Sequence, residues 1–324
     1  MKICIFGAGA VGSHLAARLA KNGVDPVVVG RGAHVQAIKE KGLELRAASE
    51  TFTVKVRATN NPATIEPQDC IIVTLKAHSL PGAADAISAL VKPDGVVVYA
   101  QNGIPWWYLA EHQPEGAAKS SLLDPDGKLW NGVGVARAVG CVIYSPNEIV
   151  APGVVKSTAP VHRYVLGALR PAGEVRVKAV AEFLKKGGWQ TEISENIRAD
   201  IWKKLLDNFA SSSITCLTGV MTGEIATRPD LSPIFGALIE EGVQVARALG
   251  VAVEPAVEAR LQRLAPMKAH RTSMLQDLEA KRQMEIDAQF TAVQELGRAK
   301  GIKMPVSDII MPLVKHRARV AGLY

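Results

Sequence analysis

Lys2-Ile-Cys-Ile-Phe-Gly7-Ala8-Gly9-Ala10-Val11-Gly12-Ser-His-Leu-Ala-Ala-Arg-Leu19 decides the fold. The apolar run Ile3 to Phe6 stops at the first glycine, and Val11, Leu15, Ala16 and Leu19 then recur at helical spacing. A buried strand, a glycine turn and a helix are the context in which G-x-G-x-x-G becomes informative. Gly7 permits the tight turn, Gly9 lets backbone N–H groups approach a pyrophosphate, and Gly12 lets the helix lie close on the strand. Ala8, Ala10 and Val11 complete the loop, and the helix N-terminus behind it receives phosphate charge.

Which dinucleotide is expected depends on the end of the second strand. There an acidic residue would accept hydrogen bonds from the adenosine ribose hydroxyls. In Pro26-Val-Val-Val-Gly30 the strand is followed by Arg31 instead. A guanidinium suits a 2′-phosphate, so the sequence predicts NADP(H) rather than NAD(H).

Composition narrows the function classes. The 324 residues, 48% of them hydrophobic, suffice for two domains of ordinary size. A net charge of +7 is compatible with a nucleic-acid partner, but Lys and Arg are scattered and the 5% aromatic content is thin for base stacking. The charge reads as solubility and as attraction for an anionic cofactor and substrate. Cys4, Cys70, Cys141 and Cys216 form no C-x-x-C pair, so no metal site is expected, and Cys4 and Cys70 fall inside strands as small core residues. Without a charged leader or an apolar run of transmembrane length, the expectation is a cytoplasmic protein that needs neither membrane nor nucleic acid.

Taken in order, residues 33–60 predict a short helix and a strand, Thr51 to Arg57, in a hairpin excursion. Asp69 to Leu75 is a continuous apolar strand of the buried parallel kind that delivers Lys76. A helix over 80–91 and a strand, Gly95 to Ala100, lead to Gln101-Asn102-Gly103. Ligands of open α/β sheets lie beyond the carboxyl ends of the strands, so Lys76 and Asn102 are both candidates for the cofactor crevice. Residues 113–133 read as an exposed loop with a turn at Asp124 to Gly127, flanked by Trp106, Trp107 and Trp130 as packing aromatics or a lid. Strands over Arg137 to Tyr144, Gly153 to Thr158 and Tyr164 to Gly167 predict a mixed edge on the sheet, completed by a helix over 177–186 and a strand over 190–193.

From Asn196 the pattern turns helical, broken at Gly219 to Gly223, Arg228-Pro229, Gly250 and Met304-Pro305. The fold class is therefore α/β: a Rossmann-type domain over 1–195 followed by an all-helical domain over 196–324. Lys204, Asn208 and Ser212 fall at i, i+4 and i+8 on one helix face, either a catalytic ladder or a solvated stripe. Ser273 and Gln276 have capping-box spacing, so Ser273 is expected to cap a helix that carries Glu285 about a third of a turn round from it. A hydroxyl beside a helix N-terminus also suits a substrate carboxylate.

Together the glycine turn with Arg31, Lys76, Gln101-Asn102-Gly103, Trp202-Lys-Lys204-Leu-x-x-Asn208 and the segment from Ser273-Met-Leu-Gln-Asp277 to Glu285-Ile-Asp287 resemble the ketopantoate reductase family over nearly the whole chain. The resemblance implies NADPH-dependent reduction of 2-dehydropantoate to pantoate, in pantothenate and coenzyme A synthesis, in a cleft between a Rossmann and a helical domain. It implies Lys204 as general acid, with Glu285 near it and the nicotinamide ribose. It places Lys76 and Asn102 along the cofactor and Asn208 and Ser273 on the substrate. Three departures bear on substrate choice. Ser212 stands where a second asparagine is usual, His270 where an asparagine is common, and Gln289-Phe290 where asparagine-glycine is frequent. A reductase of another branched 2-oxo acid, and a non-catalytic NADP-binding sensor, are the competing readings. A sensor would have no need of the Lys204 proton donor. Paired helical domains are compatible with a homodimer.

Overall fold

A computed structural model describes residues 1–111, 122–157, 162–170 and 173–324. It divides into two compact units: Met1–Gln101 with Pro105–Ile197, and Asn102–Ile104 with Arg198–Tyr324.

The first unit holds an eight-stranded sheet in the order β12-β11-β8-β7-β6-β1-β2-β5. Its strands are β1 (Ile3–Phe6), β2 (Val27–Val29), β5 (Arg57–Thr59), β6 (Gln68–Val73), β7 (Val91–Ala100), β8 (Ala138–Tyr144), β11 (Arg163–Ala168) and β12 (Gln190–Ile193). From β5 to β8 all neighbours are parallel; β11 then runs antiparallel to β8 and parallel to β12. The mixed edge expected from the sequence is thus made by β8, β11 and β12. The predicted strand over Gly153 to Thr158 does not join it. Its described part, β10 (Val154–Ser157), belongs to a second sheet ordered β4-β3-β10-β9, with β3 (Leu43–Ala47), β4 (Glu50–Val54) and β9 (Asn147–Ala151). The hairpin excursion therefore pairs with residues 110 positions further on, through a parallel β3–β10 ladder.

Helices α1 (Ala10–Lys21), α2 (Gly32–Lys41), α3 (Ala84–Leu90) and α4 (Glu174–Lys186) flank these strands. α1 lies between the two sheets, contacting β1 and β2 on one side and β3, β4, β9 and β10 on the other. That placement explains why Ser13 and His14 are buried on it beside Leu15, Ala16 and Leu19. One face of the large sheet, with Ile3, Ile5, Cys70, Ile72, Val98 and Leu166, shares a core with α1, α4 and the small sheet.

Residues 122–133 are not an exposed loop. Asp124 is buried and its carboxylate accepts from Leu129 N at 3.1 Å and Trp130 N at 2.9 Å, while Gly127 N closes the expected turn on Asp124 O. Residues 112–121 lie outside the described residues. Trp106 and Trp107 are buried, Trp106 edge-on to Tyr99 and Trp130, which is packing rather than a lid.

The second unit is built from α5 (Ile197–Thr218), α6 (Thr222–Thr227), α7 (Ser232–Ala248), α8 (Val257–Leu264), α9 (Ser273–Glu279), α10 (Ala292–Ala299) and α11 (Pro305–Val320). α7 is central, in contact with α6, α8, α10 and α11. Gly242 on α7 admits Leu206 of α5, because a Cβ there would stand 2.6 Å from the leucine methyl. Glu241 on α7 is buried and caps α11, accepting from Val306 N at 2.7 Å and Ser307 N at 2.8 Å. A carboxylate at a helix N-terminus satisfies orphan donors and opposes the helix dipole. Among the described residues no helix is long and apolar enough to cross a membrane.

Candidate active site

In the first unit the glycine turn separates into three distinct requirements. Gly7 has φ +126°, a conformation that side chains rarely adopt. At Gly12 a Cβ would stand 2.0 Å from Gly7 O, so close packing of α1 on β1 demands glycine. Gly9 is different: its φ of −78° suits any residue, and a Cβ would meet nothing within 4 Å. Neither backbone nor packing calls for glycine at that position, which leaves approach of a ligand as its physical reason. Gly9 is also the N-cap of α1 and supplies no side-chain cap, so Ala10, Val11 and Gly12 open the helix with orphan N–H donors. Ala8 completes the cradle, which fits a dinucleotide pyrophosphate.

Arg31 follows β2, exposed, as the N-cap of α2, and makes no hydrogen bond or ion pair among the described residues. Lys76 is half-buried three residues beyond the end of β6, where its carbonyl accepts from Ser79 N at 2.9 Å.

In the second unit α5 presents the polar ladder. Lys204 is half-buried and its Nζ donates to Asn102 Oδ1 at 2.8 Å. The tripeptide that bears Asn102 is fixed by Ile104 N donating to Ala288 O at 2.7 Å, and position 103, at φ +84°, admits only glycine because a Cβ would stand 2.5 Å from that same oxygen. Ala288 lies in a π-helical turn, Asp287–Thr291, a distortion common at functional sites. On its other side Phe290 packs edge-on against Phe209 of α5, next to Asn208. α5, Asn102–Ile104 and the π-helical turn Asp287–Thr291 are therefore tied to one another. Lys203, by contrast, is exposed and paired with Asp200 at 3.0 Å.

Asn208 is half-buried one turn on, and Ser212 is 1% exposed on the next. Its neighbours Ser211 and Ser213 bond back to carbonyls of their own helix; the Ser212 hydroxyl makes no hydrogen bond among the described residues. His270 is exposed and its carbonyl accepts from Thr222 N at 2.9 Å.

Two expectations about the second polar cluster are corrected. The cap of α9 is Thr272, whose Oγ1 accepts from Leu275 N at 3.3 Å; Ser273 is the first helical residue, exposed. α9 ends at Glu279, so Glu285 is not on it and the helical-wheel relation to Ser273 does not hold. Glu285 is buried on the non-helical stretch that enters the π turn. Sequence reasoning also missed Thr215, which bonds Thr272 Oγ1 at 2.8 Å and the Ser212 carbonyl at 3.3 Å, tying the end of the α5 ladder to the start of α9. The only signal was two adjacent hydroxyl residues, Thr272 and Ser273, competing for one cap.

The ketopantoate reductase PanE/ApbA family matches residues 3–168, and the family's C-terminal region matches residues 196–318. A 2-dehydropantoate 2-reductase of Mesorhizobium japonicum is 38% identical over the full length of both chains. The crystal structure of a candidate ketopantoate reductase from Ralstonia solanacearum MolK2 superposes with a TM-score of 0.91 at 34% identity, over 100% of this chain and 99% of that one. D-mandelate dehydrogenase in complex with NADH and anilino(oxo)acetate shares the fold, with a TM-score of 0.87 at 23% identity over 99% and 100% of the two chains.

Proposed function

The chain belongs to the ketopantoate reductase family, and from that premise we propose that it reduces 2-dehydropantoate to pantoate with NADPH, with Lys204 as the general acid. Residues 1–195 bind the dinucleotide through Gly7, Ala8, Gly9, Ala10, Val11 and Gly12, with Arg31 on the 2′-phosphate and Lys76 along the cofactor. Residues 196–324 carry the acid and the substrate contacts of a cytoplasmic enzyme acting on a small keto acid. When bound, NADPH supplies the hydride.

The observation that carries this reading is the Lys204–Asn102 hydrogen bond. The amide oxygen accepts from the ammonium and so fixes the direction in which Lys204 points. A positioned ammonium is what a carbonyl reduction needs. It stabilises the alkoxide that forms at the reacting oxygen and gives that oxygen its proton. Glu285, buried on the segment that braces Asn102–Ile104, stands beside this acid in the family pattern. Asn208, Ser212, His270 and Ser273 are assigned to the substrate.

The test is NADPH oxidation by the purified protein with 2-dehydropantoate and a panel of branched 2-oxo acids. Fastest turnover, per kcat/KM, on 2-dehydropantoate is expected. Faster turnover of another 2-oxo acid would replace the substrate and keep the mechanism. NADPH binding without turnover of any of them would replace the enzyme with a sensor.

A further inference from the structure

The ends of three adjacent parallel strands in the first unit are laced together by side chains that no backbone ladder requires. Beyond β6, Thr74 Oγ1 donates to Gly7 O at 2.7 Å, and its own N donates to Phe6 O at 3.0 Å. One residue on, Leu75 O accepts from Gln101 Nε2 at 2.7 Å, at the end of β7. On the far side Gly7 N donates to Val29 O of β2 at 2.9 Å. The glycine turn, the loop carrying Lys76 and the residue before Asn102 are thus joined through Thr74 and Gln101.

The Gly7 contact has a direct consequence for the turn. A trans peptide is planar, with its C=O and N–H on opposite sides. Holding Gly7 O therefore fixes the direction of the Ala8 N–H. Glycine at position 7 supplies no side-chain restraint of its own and sits at φ +126°, so this peptide would otherwise rotate freely. The fit around the hydroxyl is close, since a Cβ on Gly7 or Gly12 would stand 2.8 Å or 2.5 Å from Thr74 Oγ1. The same reasoning applies to the Leu75–Lys76 peptide, whose carbonyl is held by Gln101.

We propose that Thr74 is a positioning residue for the cofactor: its hydroxyl locks the Gly7–Ala8 peptide so that the Ala8 N–H is presented in one orientation to a dinucleotide phosphate. Gln101 does the same, more weakly, for the backbone entering Lys76. This rests on the reading of the glycine turn as the NADPH cradle.

The experiment measures NADPH affinity by fluorescence titration, together with kcat and KM for NADPH. Thr74→Val, which keeps shape and removes the donor, should raise Kd and KM about tenfold, with kcat at saturating NADPH changed by less than about threefold. Thr74→Ser should restore affinity to within about twofold of the unaltered protein. Gln101→Met, which tests the lacing where Thr74→Val does not fold, should raise Kd about threefold. Unaltered affinity in Thr74→Val, or an equal loss in Thr74→Ser, would overturn the proposal, as would unaltered affinity in Gln101→Met. Gly9→Val separates the two levels: if it binds NADPH as the unaltered protein does, the cradle itself is misassigned and the inference falls with it.

Discussion

Lys204 Nζ donates a 2.8 Å hydrogen bond to Asn102 Oδ1, joining α5 to a tripeptide that follows β7 in sequence but groups with the helices. Residues 102 positions apart are brought together by the Ala288 carbonyl, which holds Ile104 and leaves no room for a side chain at Gly103. Removing the ammonium should therefore cost chemistry and little else. Lys204→Ala is expected to lower kcat by roughly two to four orders of magnitude, the range for a positioned acid, with NADPH affinity nearly unchanged. Lys203→Ala, at an exposed ion-paired site, should stay within about threefold of the unaltered enzyme. Steady-state kinetics of the two variants decide it, and equal activities would move the acid elsewhere.

The proposed NADPH preference rests on Arg31, exposed two residues beyond β2 with no partner among the described residues. Arg31→Ala should weaken NADPH by about tenfold to a hundredfold and leave NADH almost untouched, because only the contact to the 2′-phosphate is lost. Parallel titrations with the two nucleotides measure this. Equal affinities in the unaltered protein would remove the basis for an NADPH preference.

Much of this architecture was legible because the signals are local. Ile3 to Phe6 and the strand before Thr74 are continuous apolar runs, as strands covered on both faces must be, and Gly219, Gly250 and Pro305 punctuate the helical half where α5, α7 and α11 end or begin. The small sheet was not legible, since β9 is short and exposed and β3 finds its parallel partner 110 residues away. Such pairing leaves no trace in periodicity. The Thr74 clamp was hidden for a related reason: a threonine ending a buried strand is ordinary, and only the distance to Gly7 O gives it a task. At α9, local rules allowed two caps one residue apart, and packing against Thr215 selected Thr272.

Burial of His14 gives the stability of the N-terminal unit a pH dependence. The ring is wholly buried, 4.1 Å from His162 and edge-on to Trp189 at 5.0 Å. Burial above all, with the charges of His162 and Arg18, pushes its pKa down from 6.5 to about 2. The native protein keeps this imidazole neutral while the unfolded chain takes up a proton below about pH 6.5, so the contribution is present above that pH and is lost as pH falls. Burial lowers His34 in the same direction. Each pH unit below 6.5 should cost about 1.4 kcal/mol for His14 alone. Urea unfolding between pH 7.5 and 5.5 measures the slope, and His14→Phe should reduce it by about one proton. A slope that the substitution leaves unchanged would assign the effect to other groups.

Glu241 should matter to folding and not to chemistry. Its carboxylate accepts from Val306 N and from both N and Oγ of Ser307, so Glu241→Gln places an amide donor against donors. A loss of about 2 kcal/mol in chemical denaturation is expected, with kcat of the folded protein unchanged. A variant as stable as the unaltered chain would show that α11 is held by packing alone.

Substrate selectivity tests the proposed role of Ser212. Its side chain is 1% exposed, yet its hydroxyl is not taken by the helix as those of Ser211 and Ser213 are. A serine offers one donor where asparagine offers two, so the terminal hydroxyl of ketopantoate would be held by Asn208 and at most one further contact. A site built fully around a hydroxyl rejects the analogue lacking it by about 10⁴-fold or more, because its polar groups are left unpaired. The preference for ketopantoate over 2-oxoisovalerate, as a ratio of kcat/KM values, should therefore fall below that limit. Ser212→Ala should reduce the ratio further, by about fivefold to tenfold, through the ketopantoate rate alone, since 2-oxoisovalerate presents no hydroxyl to lose. A ratio above the limit in the unaltered enzyme, or an unchanged ratio in Ser212→Ala, would show that this helix face does not read the hydroxyl.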